Sequence, residues 1–458
     1  MSKVNLNPNP LKQAKTGSEP LIKRILRSPW YPGILQWPTL LVFNLVIWQL
    51  LWGPKDAHDN FGTAMTWVIW WPVIPIFFML LGRFWCAVCP FATISDLFQK
   101  WFGTNLPVPR WLKKYGIWII DIAFIVITWA DHVYGIVESP RGSGYLLLII
   151  FTGVVVAGVL FSRRTWCRYL CFLGGLSGNY SRAAVVELRA TPEVCKNCRD
   201  LACYKGNEKA PGCPMFEVPR TMDSNALCNF CGYCVKSCPN DSITIKTRPA
   251  TKELWFIRRP KLEESFLAVV IMGIVFVQNI TMLDVWDTIL KTLEKLAGTD
   301  SYFVTFTITF ILAMSLTVAA MWFTSFFSAR GTGERAWSNF AKFGYAIIPL
   351  DLAGHVAHNL FHLLSEGLAV VFTGMALLGM EVHDMSPAIL GDEAIQILQY
   401  SLIVLGTVAS LYTAKRIAVS NYQEKAKAGK AFLPYLVFIL LLGVINAVLF
   451  YLPMAHRM

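Results

Sequence analysis

Twelve cysteines are the residues best able to do chemistry in this chain, and eight of them fall in one polar stretch. They read Cys195-x2-Cys198-x4-Cys203-x9-Cys213-Pro214, then Cys228-x2-Cys231-x2-Cys234-x3-Cys238-Pro239. Three closely spaced thiolates wrap one corner of a four-iron cubane. The distant fourth, aimed by the proline after it, reaches the neighbouring cluster. The spacing assigns Cys195, Cys198, Cys203 and Cys238 to one [4Fe–4S] centre, and Cys228, Cys231, Cys234 and Cys213 to a second. The first run is the same pattern with its third and fourth spacings stretched. Zinc sites pair two C-x2-C units about 12–20 residues apart, and disulfides are disfavoured in a reducing compartment.

The other four cysteines form two pairs, Arg83-Phe84-Trp85-Cys86-Ala87-Val88-Cys89-Pro90 and Arg164-Thr165-Trp166-Cys167-Arg168-Tyr169-Leu170-Cys171-Phe172. The shared Arg-x-Trp-Cys is an internal repeat. Each copy closes a hydrophobic hairpin, so both pairs return to the same membrane face. Cys86, Cys89, Cys167 and Cys171 are therefore candidates for a third iron–sulfur or metal centre. A dithiol pair or plain structural thiols fit the same spacing. Arg83, Arg163, Arg164 and Arg168 would favour thiolates, and they also suit helix ends at an interface.

A third group lies in one apolar run: Asp351, His355, His358, His362 and Glu366. Steps of three and four residues put them on one helix face. Ionisable groups inside a membrane usually face a bundle interior or a wet path. Haem ligation, with His132 as the partner on another helix, a non-haem metal site, and a proton or quinol site all suit this stripe. So does plain hydrogen-bonded packing between helices. Electrons crossing about 30 Å of hydrocarbon need a carrier midway, and these are the His residues inside the helices.

The elements that position these groups are membrane spans. The chain has 458 residues, of which 55% are hydrophobic and 15% charged. This excludes a soluble enzyme and a disordered chain. Nine apolar runs are expected to span, at 34–53, 63–82, 115–131, 145–162, 263–283, 302–326, 345–379, 394–413 and 431–452. The seventh is long and contains Pro349 and Gly354, which mark it as broken, re-entrant or tilted. No cleavable leader is visible, so the first run reads as an anchor.

The net charge of +12 is not evenly spread. With the N-terminus inside, inner segments hold 36 of the 41 Lys and Arg. This asymmetry sets orientation, and it requires no nucleic-acid partner. No glycine-rich phosphate loop follows a strand, which argues against direct nicotinamide chemistry. The amphipathic stretch 286–297 falls in an outer loop.

The expected fold is a polytopic α-helical membrane protein of about nine helices with a cytoplasmic, bacterial-ferredoxin-like 2[4Fe–4S] insert. Its parts are a basic cytoplasmic N-terminus (1–33), a four-helix membrane part with the repeated motifs (34–182), the insert (183–262) and a five-helix part with the His-lined helix (263–458). The expected location is a bacterial inner membrane, in contact with lipid.

With these motifs the chain resembles the membrane-bound polyferredoxins of the NapH, NosR and CcoG type, over roughly residues 30–285. It is also similar to ferredoxin-type components of bacterial iron-uptake systems. The edge motifs depart from that type's C-x3-C-P: the first is C-x2-C-P and the second is followed by Phe172. The resemblance implies electron transfer with a membrane or periplasmic redox partner, often linked to quinol oxidation. Two function classes follow. One is an electron-transfer protein that relays electrons to the inner clusters. The other is an oxidoreductase acting itself on quinone or a metal ion at His355, His358 and His362.

Overall fold

The computed structural model describes residues 20–380 and 386–452. Lys3, Lys12, Lys15 and Arg457, which belong to the Lys and Arg count above, lie outside the described residues.

A short helix α1 (Leu21–Arg27) precedes the membrane part. The spans that follow are α2 (Gly33–Trp52), α3 (Phe61–Phe102), α4 (Arg110–Tyr134) and α5 (Pro140–Leu160). Helix α6 (Phe172–Ser181) leads into the insert. After the insert come α7 (Leu262–Ile280), the amphipathic α8 (Val285–Ala297) and α9 (Tyr302–Thr332). The chain then forms α10 (Ile348–Ser365), α11 (Ala369–Leu377), α12 (Asp392–Asn421) and α13 (Lys425–Tyr451). Among the described residues, eight helices are long and apolar enough to cross a bilayer, and a pair bent by 49° makes a ninth if it is counted as one span. A polytopic helical membrane protein is therefore what this sequence folds into.

Two details differ from the sequence reading. The seventh span is broken, but not at Pro349 or Gly354. Pro349 occupies the first turn of α10, where the missing N–H has no helical partner to lose. The bend falls between Ser365 and Ala369. The second span does not stop at residue 82. Its helical path continues to Phe102, kinked at Gly82 and again at Cys89.

Helix α7 is the central strut, with 67% of its apolar window buried. It packs on α4, α9 and α10, while α10 packs on α12 and on the Trp71–Leu81 part of α3. Without a hydrophobic drive between helices in lipid, close packing must hold them together. At Gly406 of α12 a β-carbon would overlap the side chain of Ala353 in α10, so the smallest residue sits where the helices cross.

The insert is small. Strands β1 (Val186–Ala190) and β4 (Ile243–Thr247) pair antiparallel, from Val186↔Thr247 to Ala190↔Ile243. Between them lies the hairpin β2 (Gly206–Asn207) and β3 (Ala210–Pro211). Its core is Leu188, Phe230, Val235 and Ile243, completed by Leu26 and Tyr31 from the N-terminal segment. Arg27 and Lys23 pair with Asp241. The Tyr31 hydroxyl donates to the Phe230 carbonyl at 2.7 Å. A unit this small gains core from that added segment.

Candidate functional site

The two cysteine sets of the insert come together as the spacing assigns them. Around Cys203 the neighbouring thiols are Cys238, Cys195 and Cys198. Burial first, and then those three, push the Cys203 thiol up to about 11. The Ser242 N–H donates to Cys238 Sγ at 3.3 Å, and Cys195 Sγ lies 3.0 Å from the Ser242 hydroxyl. Cys213, Cys228, Cys231 and Cys234 line one small cavity, walled by Leu188, Phe230 and Met222. The Glu217 N–H donates to Cys213 Sγ at 3.4 Å. Burial pushes Cys231 up to about 12, with the Cys213 thiol adding to the shift.

Four such thiols cannot ionise together in a dry pocket unless a cationic core balances them. Convergent thiols, apolar walls and backbone N–H groups aimed at sulfur are the donor set that holds a cluster and tunes its potential. All twelve cysteines are free of disulfides. Among the described residues, no group of three or more His, Cys, Asp or Glu side chains is arranged to hold a single metal ion.

The loop that carries the second set is shaped by backbone geometry. Phe230 and Gly232 adopt positive φ, +53° and +76°. A β-carbon at Gly232 would collide with the Leu26 carbonyl of α1. Glycine is thus required both by conformation and by the helix docked on it.

The sets are also contiguous. Cys203 of the first lies within the electrostatic surroundings of Cys234 of the second. Cys231 packs with Ala87 and Val88, flanked by Phe84, Trp85 and Tyr233. The insert therefore sits directly on the first membrane-edge motif.

The four edge cysteines converge. Each is in the electrostatic surroundings of the others, and all four line one cavity. Cys89 caps the helix Pro90–Phe102 and Cys171 caps α6. Two helix N-termini thus point their N–H groups and dipoles at the site, which favours negative charge there. Phe172 starts its helix as Pro90 does, so the missing proline of the second repeat leaves its geometry unchanged.

Arg164, 2% exposed, is held by Asp96 at 2.9 and 2.6 Å and donates to the Cys86 carbonyl at 3.2 Å. Arg83, 1% exposed, donates to the Ala226 carbonyl at 2.6 Å. Its Nε and Nη2 have no partner among the described residues. A buried guanidinium left part-paired is costly, so this site has room for an anion. A thiolate-held iron–sulfur cluster fits.

The cavity that begins at the edge cysteines has a volume of about 1680 Å³ and runs toward the opposite face, past His355, His358 and His362 to Asp56, His132 and Glu366. His355 Nδ1 lies 3.1 Å from the Tyr180 hydroxyl, and His358 Nδ1 lies 3.1 Å from Asn279 Oδ1. His362 Nδ1 is 3.7 Å from Glu366. Asp351 is fully buried behind this wall, with Tyr180 donating to it at 3.4 Å. His132 has its ring nitrogens near the Thr128 carbonyl (2.9 Å) and the Thr281 hydroxyl (3.4 Å), and its ring stacks on Phe306. Tyr180, Asn279 and Asp96 were not singled out by spacing. Each meets its partner across more than sixty residues of chain.

Known proteins share these parts. A family model described as a 4Fe-4S binding domain matches residues 63–109 and 143–188, the two edge repeats. Another of the same description matches 224–244. The chain is 30% identical over 225 residues to the putative electron transport protein YccM of Escherichia coli, covering 43% of this chain and 60% of that one. It is 26% identical over 194 residues to the ferredoxin-type protein NapH of Escherichia coli, covering 38% and 66%. This is a NapH-type polyferredoxin pattern. The methylamine utilization ferredoxin-type protein MauN of Methylorubrum extorquens is 26% identical over 148 residues, covering 29% of this chain and 50% of that one. The chain thus spans less than two thirds of each of these relatives. No solved structure matches it. The resemblance read from the cysteine motifs is borne out, and iron–sulfur binding domains are present.

Proposed function

We propose that the protein is a membrane-bound electron-transfer protein in which three thiol sets form one relay, ending at a membrane cavity that takes a quinone. The observation that carries this reading is the packing of Cys231 on Ala87 and Val88. It joins the insert to the edge cysteines, which open into the cavity. Bound clusters supply one-electron storage and transfer. Cys195, Cys198, Cys203 and Cys238 hold the first, Cys213, Cys228, Cys231 and Cys234 the second, and Cys86, Cys89, Cys167 and Cys171 the third. Arg83 and Arg164 offset the negative charge of the edge set.

The cavity favours a quinone over the other carriers weighed for the His stripe. It lies within the bilayer, where a lipid-soluble carrier arrives by partition. Its walls include Trp70, Trp71 and Trp85. These line a path from the edge cysteines to His355, with ring centroids 5.8 Å (Trp85–Trp70), 6.1 Å (Trp70–Trp71) and 5.9 Å (Trp71–His355). A flat ring stacks on such walls, and His355 supplies a hydrogen-bonding end.

The 36 inner Lys and Arg of 41 support a cytoplasmic N-terminus and insert in an inner membrane. A soluble redox partner would then meet the insert from the cytoplasm. Anaerobic purification with iron and acid-labile sulfide analysis tests the reading. About twelve irons per chain are expected for three four-iron centres and about eight for two. A preparation without acid-labile sulfide would overturn it.

A further inference from the structure

We propose that Tyr180 and Asp351 form, behind His355, a proton relay for the hydroquinone oxidised in the cavity. The relay rests on the quinone reading of that cavity. His355 lines the cavity, whereas Tyr180 and Asp351 do not. Tyr180 and Asp351 are fully buried. The Tyr180 hydroxyl stands between the other two, 3.1 Å from His355 Nδ1 and 3.4 Å from Asp351 Oδ2. Asp351 Oδ1 has no hydrogen-bond partner among the described residues.

This is costly chemistry to keep within a membrane bundle if packing were its whole purpose. A phenylalanine would fill the ring's place, and an aspartate without a cation partner adds nothing to the core. Asp351 and His355 are four residues apart, on one face of α10. Tyr180 comes from α6, the helix whose first turn is capped by Cys171. One ten-residue helix therefore touches the edge cysteines at its start and the relay near its end.

A hydroquinone hydroxyl gives its proton to His355 Nε2. The Nδ1 proton passes to the Tyr180 oxygen as the Tyr180 hydroxyl proton passes to Asp351. An iron–sulfur centre held by Cys86, Cys89, Cys167 and Cys171 would take one electron. Asp351 holds that proton until the oxidised ring leaves and then returns it through Tyr180 and His355 to the cavity, which restores the Nδ1 proton; the second proton leaves through the cavity directly as the second electron follows the first. Quinone remains. The protons thus leave by way of the cavity, with Asp351 holding the first in transit, while the electrons leave by the thiols. Run backwards, the same groups protonate a quinone as it is reduced.

The test uses the full chain, iron–sulfur loaded, in lipid nanodiscs, as wild type, Tyr180→Phe and Asp351→Asn. The probes are a hydroxyquinoline-type quinone analogue for binding and duroquinol for reduction. In both variants the analogue is expected to bind within about twofold of wild type. Duroquinol-driven bleaching of the clusters at saturation is expected to slow by roughly 10²-fold, the share a proton-transfer group supplies. Dithionite-driven bleaching should be unchanged. Infrared difference spectra on adding duroquinol should show a protonated-carboxyl band in wild type that both variants lack. The relay is overturned if Tyr180→Phe and Asp351→Asn bleach at wild-type rate or keep that band. If wild type fails to bind the analogue, the quinone reading of the cavity falls instead. Iron content and the dithionite-reduced EPR spectrum of each variant separate lost folding from a lost relay.

Discussion

Substituting Gly232 by alanine should loosen the N-terminal helix from the insert, and the size of the effect can be worked from geometry. Gly232 has φ +76°, where an L-residue pays about 1–2 kcal/mol. Its new β-carbon would also fall inside 3.0 Å of the Leu26 carbonyl oxygen. Backbone cannot yield as a flexible side chain does, so α1 must retreat by roughly half an ångström, an overpacking cost of about 1–3 kcal/mol. The combined cost is about 2–5 kcal/mol. Opening of α1 relieves the collision but not the φ strain, so it should rise by roughly fivefold or more, since 1.4 kcal/mol is a factor of ten. Lys23, Arg24 and Arg27 make that helix a trypsin substrate once it opens. Cleavage after Arg27, followed by mass spectrometry on the purified chain, reads the opening directly. Gly298→Ala is the control. It has φ +65° with nothing within 4 Å of a β-carbon, so it should leave cleavage at Arg27 unchanged. Equal cleavage rates in the two variants would refute the claim that Leu26 docks on the cluster loop.

Three further outcomes are expected. Cys231→Ser should remove one cluster EPR signal and about four irons, leaving the signal of the Cys195, Cys198, Cys203 and Cys238 set; an unchanged iron count would contradict the assignment. Asp96→Asn should cost about 2–3 kcal/mol in thermal unfolding. It strands the buried Arg164 guanidinium, and the part-exposed Asp96 keeps the loss at or below the low end for a broken buried pair; a cost under about 0.5 kcal/mol would mean that the pair is screened. Burial works to raise the Glu334 carboxyl, but hydrogen bonds from Lys342, Tyr422 and Asn339 outweigh it and hold the group below its ordinary 4.5. A depressed folded value contributes stability above pH 4.5 that is lost as pH falls through the lowered value. Glu334→Gln should therefore unfold at lower temperature than wild type at neutral pH. In acid the two melting curves should converge, and a gap that persists there would show that the charge is not its source.

How far the sequence carried depends on which interactions are local. Cys228 to Pro239 lies within a dozen residues, so thiol spacing and proline alone specify what the segment can hold. The Arg-x-Trp-Cys repeat predicted convergence by topology alone. Two hairpins of equal span number must return to one face, and Cys86, Cys89, Cys167 and Cys171 do meet there. Periodicity likewise put His355, His358 and His362 on one face of a helix, and all three line the cavity.

Periodicity reports a face and not its partner. Tyr180 reaches His355 across 175 residues, and nothing in its neighbourhood distinguishes it from an ordinary interfacial tyrosine. Pro349 misled for a related reason: proline marks a break only inside a helix, and here it begins one. The docking of α1 on Gly232 was hidden because the polar N-terminus reads as a tail until the insert's small core is seen to lack Leu26 and Tyr31. The same reasoning explains why the insert and membrane parts act as one unit. Cys231 is buried against Ala87 and Val88, so the shell around the second thiol set is built partly from the edge motif. A change that moves Val88 should therefore disturb both sets, which two independent domains joined by a linker would not do.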